Sequence, residues 1–237
     1  MIDVTEIAAG IHRVSLFNED DLVQAGVIWP DVSFNLFVVG GKSILGTLYR
    51  RSFARVRRRV AEIADLAQLR CVIVPHHEGD SSGAVNDWLA AAPGAELLCS
   101  EMCAALSLRD FAERAPRVVA DGELVDLGAH RLRFLMTPQV NQWDSLMVYE
   151  EATRTLFPND LFSHPGTLVS TRDDPSAAAL GAARHLGYQP NDRSSLGRAL
   201  DKIAPLRVDV VANMHGPAVY GHFDRLVETF RTSDLGG

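Results

Sequence analysis

The sequence predicts an α/β fold, and three observations carry that expectation. Short apolar, β-favouring runs such as Cys71-Val72-Ile73-Val74 suit strands buried on both faces. Apolar residues from Phe53 to Leu69 recur at spacings of three and four, the mark of an amphipathic helix. The middle third alternates strand, loop, helix, strand and helix, as sheets covered by helices do. With 237 residues, 47% hydrophobic and 22% charged, the chain has enough apolar material for one sizeable core. No Pro/Gly/Ser-rich linker divides it, so a single domain over residues 1–237 is expected. Twenty-three Lys and Arg against thirty Asp and Glu give a net charge of -7, which excludes a general attraction to nucleic acid or an anionic membrane. There is no apolar run of about eighteen residues, and Met1 to Glu6 lack the pattern of a signal peptide. A cytoplasmic protein is expected. Cys71, Cys99 and Cys103 fit reduced, buried thiols better than a disulfide framework.

Each element has its own signal. Ile11 to Leu16 roughly alternates, Ser33 to Val39 is apolar and β-favouring, and Gly40-Gly41-Lys42 marks a tight turn before Ser43-Ile44-Leu45. A hairpin near the amino terminus follows. The helix over 53–69 places Phe53, Val56, Val60, Ile63 and Ala67 on one face, leaving Arg55, Arg57, Arg58 and Arg59 solvated. Cys71–Val74 is a strand that Pro75 ends, and helical pattern resumes through Trp88 to Ala92, where Pro93-Gly94 stops it. Leu97–Cys99 is a strand and Glu101–Leu108 a short helix. Strands are then expected at Arg117–Val119, Leu124–Leu127, Arg131–Met136, Ser145–Tyr149 and Thr155–Phe157. Helices near 176–186 and 194–203 precede a buried strand, Val208–Ala212, and a terminal helix, Phe223–Phe230. Trp88 and Trp143 are expected in the core.

Chemistry in open α/β architectures collects just past the carboxyl ends of buried strands. Three such loops carry metal-binding side chains: His76, Glu78 and Asp80; Asp160 after Leu156-Phe157-Pro158-Asn159; and His215 after Val211-Ala212-Asn213-Met214. In an extended loop, residues two apart point the same way, so His76, Glu78 and Asp80 would share one space. Imidazole with carboxylate suits iron, manganese or zinc. Two divalent ions and a bridging hydroxide would neutralise Glu78, Asp80 and Asp160, so the charge count favours two metals over none.

At these loops the sequence resembles the metallo-β-lactamase superfamily, and within it the flavodiiron-like, oxygen-binding di-iron branch. The resemblance rests on Pro75-His76-x-Glu78-x-Asp80, Gln142-Trp143-Asp144-Ser145-Leu146-Met147, Leu156 to Phe162 around Asp160, and His215-Gly216-Pro217. Glu78 is the telling residue, because hydrolases of the superfamily usually carry a second His there. The resemblance implies an αββα sandwich with Asp160 bridging two metals, His76 and Glu78 on one, Asp80 and His215 on the other. This chain departs from the family's motif at two ligand positions, with Ser81 and Asn141 where the family has His. Each metal would lose an imidazole, which shifts the set towards hard, oxygen-preferring ions or water. His77 and His164 flank retained ligands and are candidate replacements. No Gly/Ser/Thr-rich phosphate loop follows His215, so no FMN is expected in this chain, nor a flavodoxin or rubredoxin domain. Electrons would come from a separate donor protein, and the resemblance makes a homodimer plausible.

Three functions follow. The first is a modified di-iron protein that binds or reduces dioxygen or a similar diatomic, with iron as the metal and zinc or manganese as alternatives. The second is a metal-dependent hydrolase of an ester, thioester or lactone, and the third a binding module whose metal site has decayed. Asp160 alone would also suit a turn cap, His164-Pro165-Gly166 a plain turn, and Asp144 either a partner of a ligand histidine or a loop end. His12, His130, His185 and His222 read as ordinary hydrogen-bonded residues.

Overall fold

The computed structural model describes residues 2–17, 31–186 and 193–235. Two seven-stranded sheets lie face to face. The first, in spatial order β1 to β7, comprises β1 (Ile2–Ala8), β2 (Ile11–Phe17), β3 (Ser33–Val39), β4 (Ser43–Leu45), β5 (Cys71–Ile73), β6 (Glu96–Cys99) and β7 (Arg117–Val118). The second runs β12-β14-β13-β11-β10-β9-β8, from β8 (Leu124–Asp126), β9 (Arg131–Met136), β10 (Leu146–Glu150), β11 (Thr155–Phe157), β12 (Ser170–Thr171), β13 (Val210–Val211) and β14 (Ala218–Tyr220). The first four strands pair antiparallel, and β4 to β7 run parallel.

Burial explains the apolar runs. Along β3, Leu36 and Val38 face a helical layer while Phe37 and Val39 face the other sheet. A strand covered on both sides has no polar face to show, which is why its sequence does not alternate. The same division separates Val72 from Cys71 and Ile73 in β5, and Tyr149 from Val148 in β10. Between the sheets, Phe37 and Phe157 meet edge to face with centroids 5.0 Å apart. Helices α1 (Phe53–Val60), α3 (Val85–Ala91) and α4 (residues 101–111) cover the first sheet through Val56, Val60, Trp88, Cys103 and Leu108. Helices α5 (Ser176–Leu186), α6 (Arg193–Ile203) and α7 (Phe223–Arg231) cover the second through Ala179, Leu200 and Phe230. Between α1 and α3, α2 (Gly79–Ser82) is a single helical turn. The layers are therefore αββα. Among the described residues no helix is long and apolar enough to cross a membrane.

Three expectations need correction, and three strands lie where none was expected. The helix over 53–69 ends at Val60, because Asp65 accepts a hydrogen bond from the Ala67 amide and starts a separate 3-10 turn, Leu66–Gln68. Ala67 is exposed and Leu69 is the buried residue instead. The expected strand Val208–Ala212 contracts to Val210–Val211, since Asp209 is held outside the ladder by Arg154 through both backbone and side chain. Trp143 is 60% exposed rather than core, whereas Trp88 is fully buried with its indole N–H on the Thr47 carbonyl. Strand β1, unassigned from the sequence, pairs with β2 from Ile2 opposite Leu16 to Ala8 opposite Ile11. The short pair β12 and β14 was equally unmarked; at two and three residues these strands are too brief for a period to register.

Candidate metal centre

The three loops converge at one end of the sandwich. Leu146 N–H donates to the Pro75 carbonyl at 2.9 Å, tying the start of β10 to the end of β5 and so joining the two sheets beside the site. His76 follows β5, Asp160 follows β11 and His215 follows β13. His76, Asp80, Asp160 and His215 are each at most 4% exposed, and Glu78 is half-buried.

Metal-ligand atoms of His76, Glu78 and Asp80 lie within 4.8 Å of one another. They meet by a route other than the expected extended loop. The chain curls into α2 immediately after Glu78, and Asp80 sits in that first helical turn. Tyr49 packs on Gly79, where an added Cβ would come within 3.2 Å of the ring, so only glycine allows this fit without the ring giving way. His76 Nδ1 pairs with Asn159 Oδ1 at 2.8 Å, while Asn159 Nδ2 donates to Ser145 Oγ at 3.0 Å. With its proton on Nδ1, His76 turns Nε2 towards Glu78 Oε2 and Asp160 Oδ2, 3.5 Å from each. His215 repeats the arrangement: Nδ1 faces the Ser33 carbonyl at 3.1 Å, which only accepts, and Nε2 stands 3.3 Å from both Asp80 Oδ2 and Asp160 Oδ1. Such partners favour the tautomer that leaves Nε2 facing the carboxylates.

Electrostatics mark four of these residues. Burial would lower the basicity of His76, but Asp160, Glu78 and Asp80 overcome it and push its pKa up to about 10. Burial opposes protonation of His215 too, and Asp160 with Asp80 raises it to about 8. Asp80 moves upwards, first through burial and further through Asp160 and Glu78. For Asp160 burial also acts upwards, but His76, His215 and Asn141 outweigh it and hold the carboxyl below its ordinary value. Asp80 Oδ1 is buried without a hydrogen bond. Orphaned carboxylate oxygens are rare in protein interiors, and a cation would satisfy it.

Ser81 and Asn141 both border the cluster. Ser81 Oγ is 3.4 Å from His76 Nδ1, and Asn141 Nδ2 donates to Asp160 Oδ2 at 2.5 Å. His77 and His164 each have partners of their own. The exposed His77 ring binds Ser107 Oγ at 2.7 Å and packs near Phe111, drawn out by α4, whose Ala104–Leu108 stretch is π-helical. His164 is buried behind the His215 loop with Nδ1 at 3.1 Å from the Phe162 carbonyl. Asp144 supports the backbone: its carboxylate accepts from the His77 amide at 2.7 Å rather than from an imidazole. The sequence gives no weight to Ser33, Phe34 or Tyr49, yet Phe34 meets the His215 ring edge to face at 4.9 Å and Tyr49 meets Phe34 at 5.3 Å. Ser33 and Asn35 are polar breaks in an otherwise apolar strand, which was the available signal. Asn141 and Asn159 adopt left-handed backbone conformations, φ 70° and 58°, which asparagine tolerates better than most residues.

Residues 37–216 match the model of the family described as ODP family beta lactamase. The chain belongs to that family. Its relatives include the type A flavoprotein FprA of Rhodobacter capsulatus, 29% identical over 231 residues, covering 91% of this chain and 52% of that protein. Among solved structures, rubredoxin oxygen:oxidoreductase from Desulfovibrio gigas matches with a TM-score of 0.85 at 18% identity, over 97% of this chain and 61% of that one. The flavodiiron core of Flv1 from Synechocystis gives 0.82 at 20% identity, over 97% and 60%. These similarities confirm the αββα sandwich. The chain spans about a third to a half of the length of the curated relatives it matches.

Proposed function

We propose that this member of the ODP family is a non-haem metal protein whose five-residue site holds two divalent ions, iron first, and binds or reduces dioxygen or a similar diatomic molecule. The observation that carries the reading is Asp160, whose two oxygens face different imidazoles, Oδ2 towards His76 and Oδ1 towards His215. The names of two structural relatives, one an oxygen oxidoreductase and the other a flavodiiron core, support it. The donor set fits the group: His76 Nε2, Glu78 and Asp160 Oδ2 would hold one ion, and Asp80, Asp160 Oδ1 and His215 Nε2 the other. When bound, iron supplies the redox chemistry and an open coordination position.

The chain's own side chains do the rest. Asn159 and the Ser33 carbonyl keep the imidazole protons at Nδ1. Gln142 Nε2 donates to Glu78 Oε1 and holds that carboxylate in place. Asn141 and Ser81, too weak as donors to stand for imidazole, leave room for a small ligand beside each ion. Phe34 and Tyr49 wall off the His215 side from water. Electron delivery is assigned to a donor protein.

Metal analysis of protein purified without a histidine tag, then loaded with ferrous ion under anaerobic conditions, tests this reading. Two irons per chain, lost in Asp160→Ala, with dioxygen consumed in the presence of a reductant, is the expected result. Protein that takes up no iron overturns it, as does zinc-dependent turnover of esters or thioesters without oxygen consumption, which would favour a hydrolase.

A further inference from the structure

Arg13 lies in the middle of β2 and is 1% exposed, although arginine is seldom fully buried. Burial pulls its pKa down to about 10, so it is still a cation at neutral pH. Among the described residues no carboxylate comes within ion-pair distance of it. A buried guanidinium without an anion is costly, and an apolar residue would pack between the sheets more cheaply. What it binds is therefore informative. Nη1 donates to the Val169 carbonyl at 3.0 Å, and Nη2 to Ser33 Oγ at 2.9 Å and to the Gly216 carbonyl at 3.0 Å.

Those partners surround the turn that carries His215. The Gly216 carbonyl also accepts from Asn35 Nδ2 at 3.0 Å, and the Gly216 amide donates to Ser33 Oγ at 3.1 Å. Asn35 further grips the Asn213 carbonyl at 2.9 Å with its side chain and the Met214 carbonyl at 3.0 Å with its amide. On the opposite side there is no slack: Gly216 has φ +85°, and an added Cβ would stand 1.8 Å from the His164 carbonyl oxygen. His76 is held differently, by Asn159 and without any bond to Arg13.

We infer that Arg13 is a positioning residue, whose guanidinium fork fixes the turn 213–216 against β3 and thereby sets His215 Nε2 relative to Asp80 and Asp160. Its effect falls on the ion at the His215 side and spares the one at the His76 side. Lysine cannot substitute, because three donors on a single nitrogen do not span two carbonyls on different loops as a planar fork does. The inference rests on the two-ion reading proposed above.

Titration of the tag-free, metal-stripped full chain with Mn(II), followed by electron paramagnetic resonance, separates the ions, since a coupled pair and an isolated ion give different spectra. Wild-type protein should bind two ions and show the pair. In Arg13→Lys one binding step should lose at least about tenfold in affinity and the pair signal should give way to that of an isolated ion, while the other step stays within about twofold. Ser33→Ala, which keeps the carbonyl under His215 but removes the hydroxyl between Arg13 and Gly216, should act in the same direction and covers the case in which Arg13→Lys does not fold. Unchanged affinities in both variants overturn the inference alone, as does an equal loss at both steps together with a lower Tm of the metal-free protein. A wild-type chain that binds no pair overturns the proposed centre and this inference with it.

Discussion

Asp80 and Glu150 are both buried carboxylates, set at opposite ends of the sandwich, and their surroundings could hardly differ more. Glu150, at the end of β10 away from the site, is 0% exposed and accepts from Thr153 N at 2.7 Å, Thr153 Oγ1 at 2.6 Å, Ala152 N at 3.0 Å and Arg131 N at 3.3 Å. Burial acts to raise its pKa, but these donors win and hold it below the ordinary value. Asp80 is 4% exposed and leaves Oδ1 with no donor, and burial with two neighbouring carboxylates raises its pKa. Burial alone does not tell these two carboxylates apart; the count of satisfied hydrogen bonds does. Glu150 closes a turn, whereas Asp80 keeps an oxygen unsatisfied.

The contrast is sharpest in stability. Glu150→Gln replaces an acceptor by a donor facing Thr153 N–H and should cost on the order of 3 kcal/mol in urea unfolding, without altering metal uptake. A smaller cost accompanied by lost metal would break the comparison. Because the folded-state pKa of Glu150 is depressed, its contribution is complete above the unfolded value and disappears as pH falls through the folded one. The stability gap between wild type and Glu150→Gln should be constant near neutral pH and close steadily below the reference value of 4.5, as unfolding curves at pH 6 and pH 3 would show.

Asp80→Asn should act with the opposite sign. It removes a charge the folded chain disfavours, so the metal-free variant should gain about 1 kcal/mol at pH 7 while its metal affinity falls. Destabilisation of the metal-free form would mean that the carboxylate is structural after all. The smallest effect belongs to Trp143→Ala. With its ring 60% exposed, the change should shift stability by less than about 0.5 kcal/mol.

Much of the fold was legible because burial leaves a local imprint. The runs Ser33–Val39 and Cys71–Val74 announced strands covered on both faces, and the spacing of Phe53, Val56 and Val60 announced the first helix. The imprint fails where an element is short or a side chain arrests it, as at Asp65 and in β12. At the site, His76, Glu78, Asp80, Asp160 and His215 could be named because each follows an apolar strand. Asn159 could not be recognised as the partner of His76, nor Arg13 as the support of the His215 turn, because those pairs are 83 and 203 residues apart in the chain.

The amino-acid sequence by itself determined the layered α/β class, the loops that carry the clustered side chains and the excess of acidic over basic groups among them. These follow from local composition and from side-chain chemistry, which do not depend on which strands are neighbours. Only the tertiary structure decided that Asp160 stands between two imidazoles, that His77 points outwards and that Trp143 is exposed. Those outcomes depend on how two sheets pack and where turns bend, and packing distances between residues far apart in the chain are written in no single segment of it.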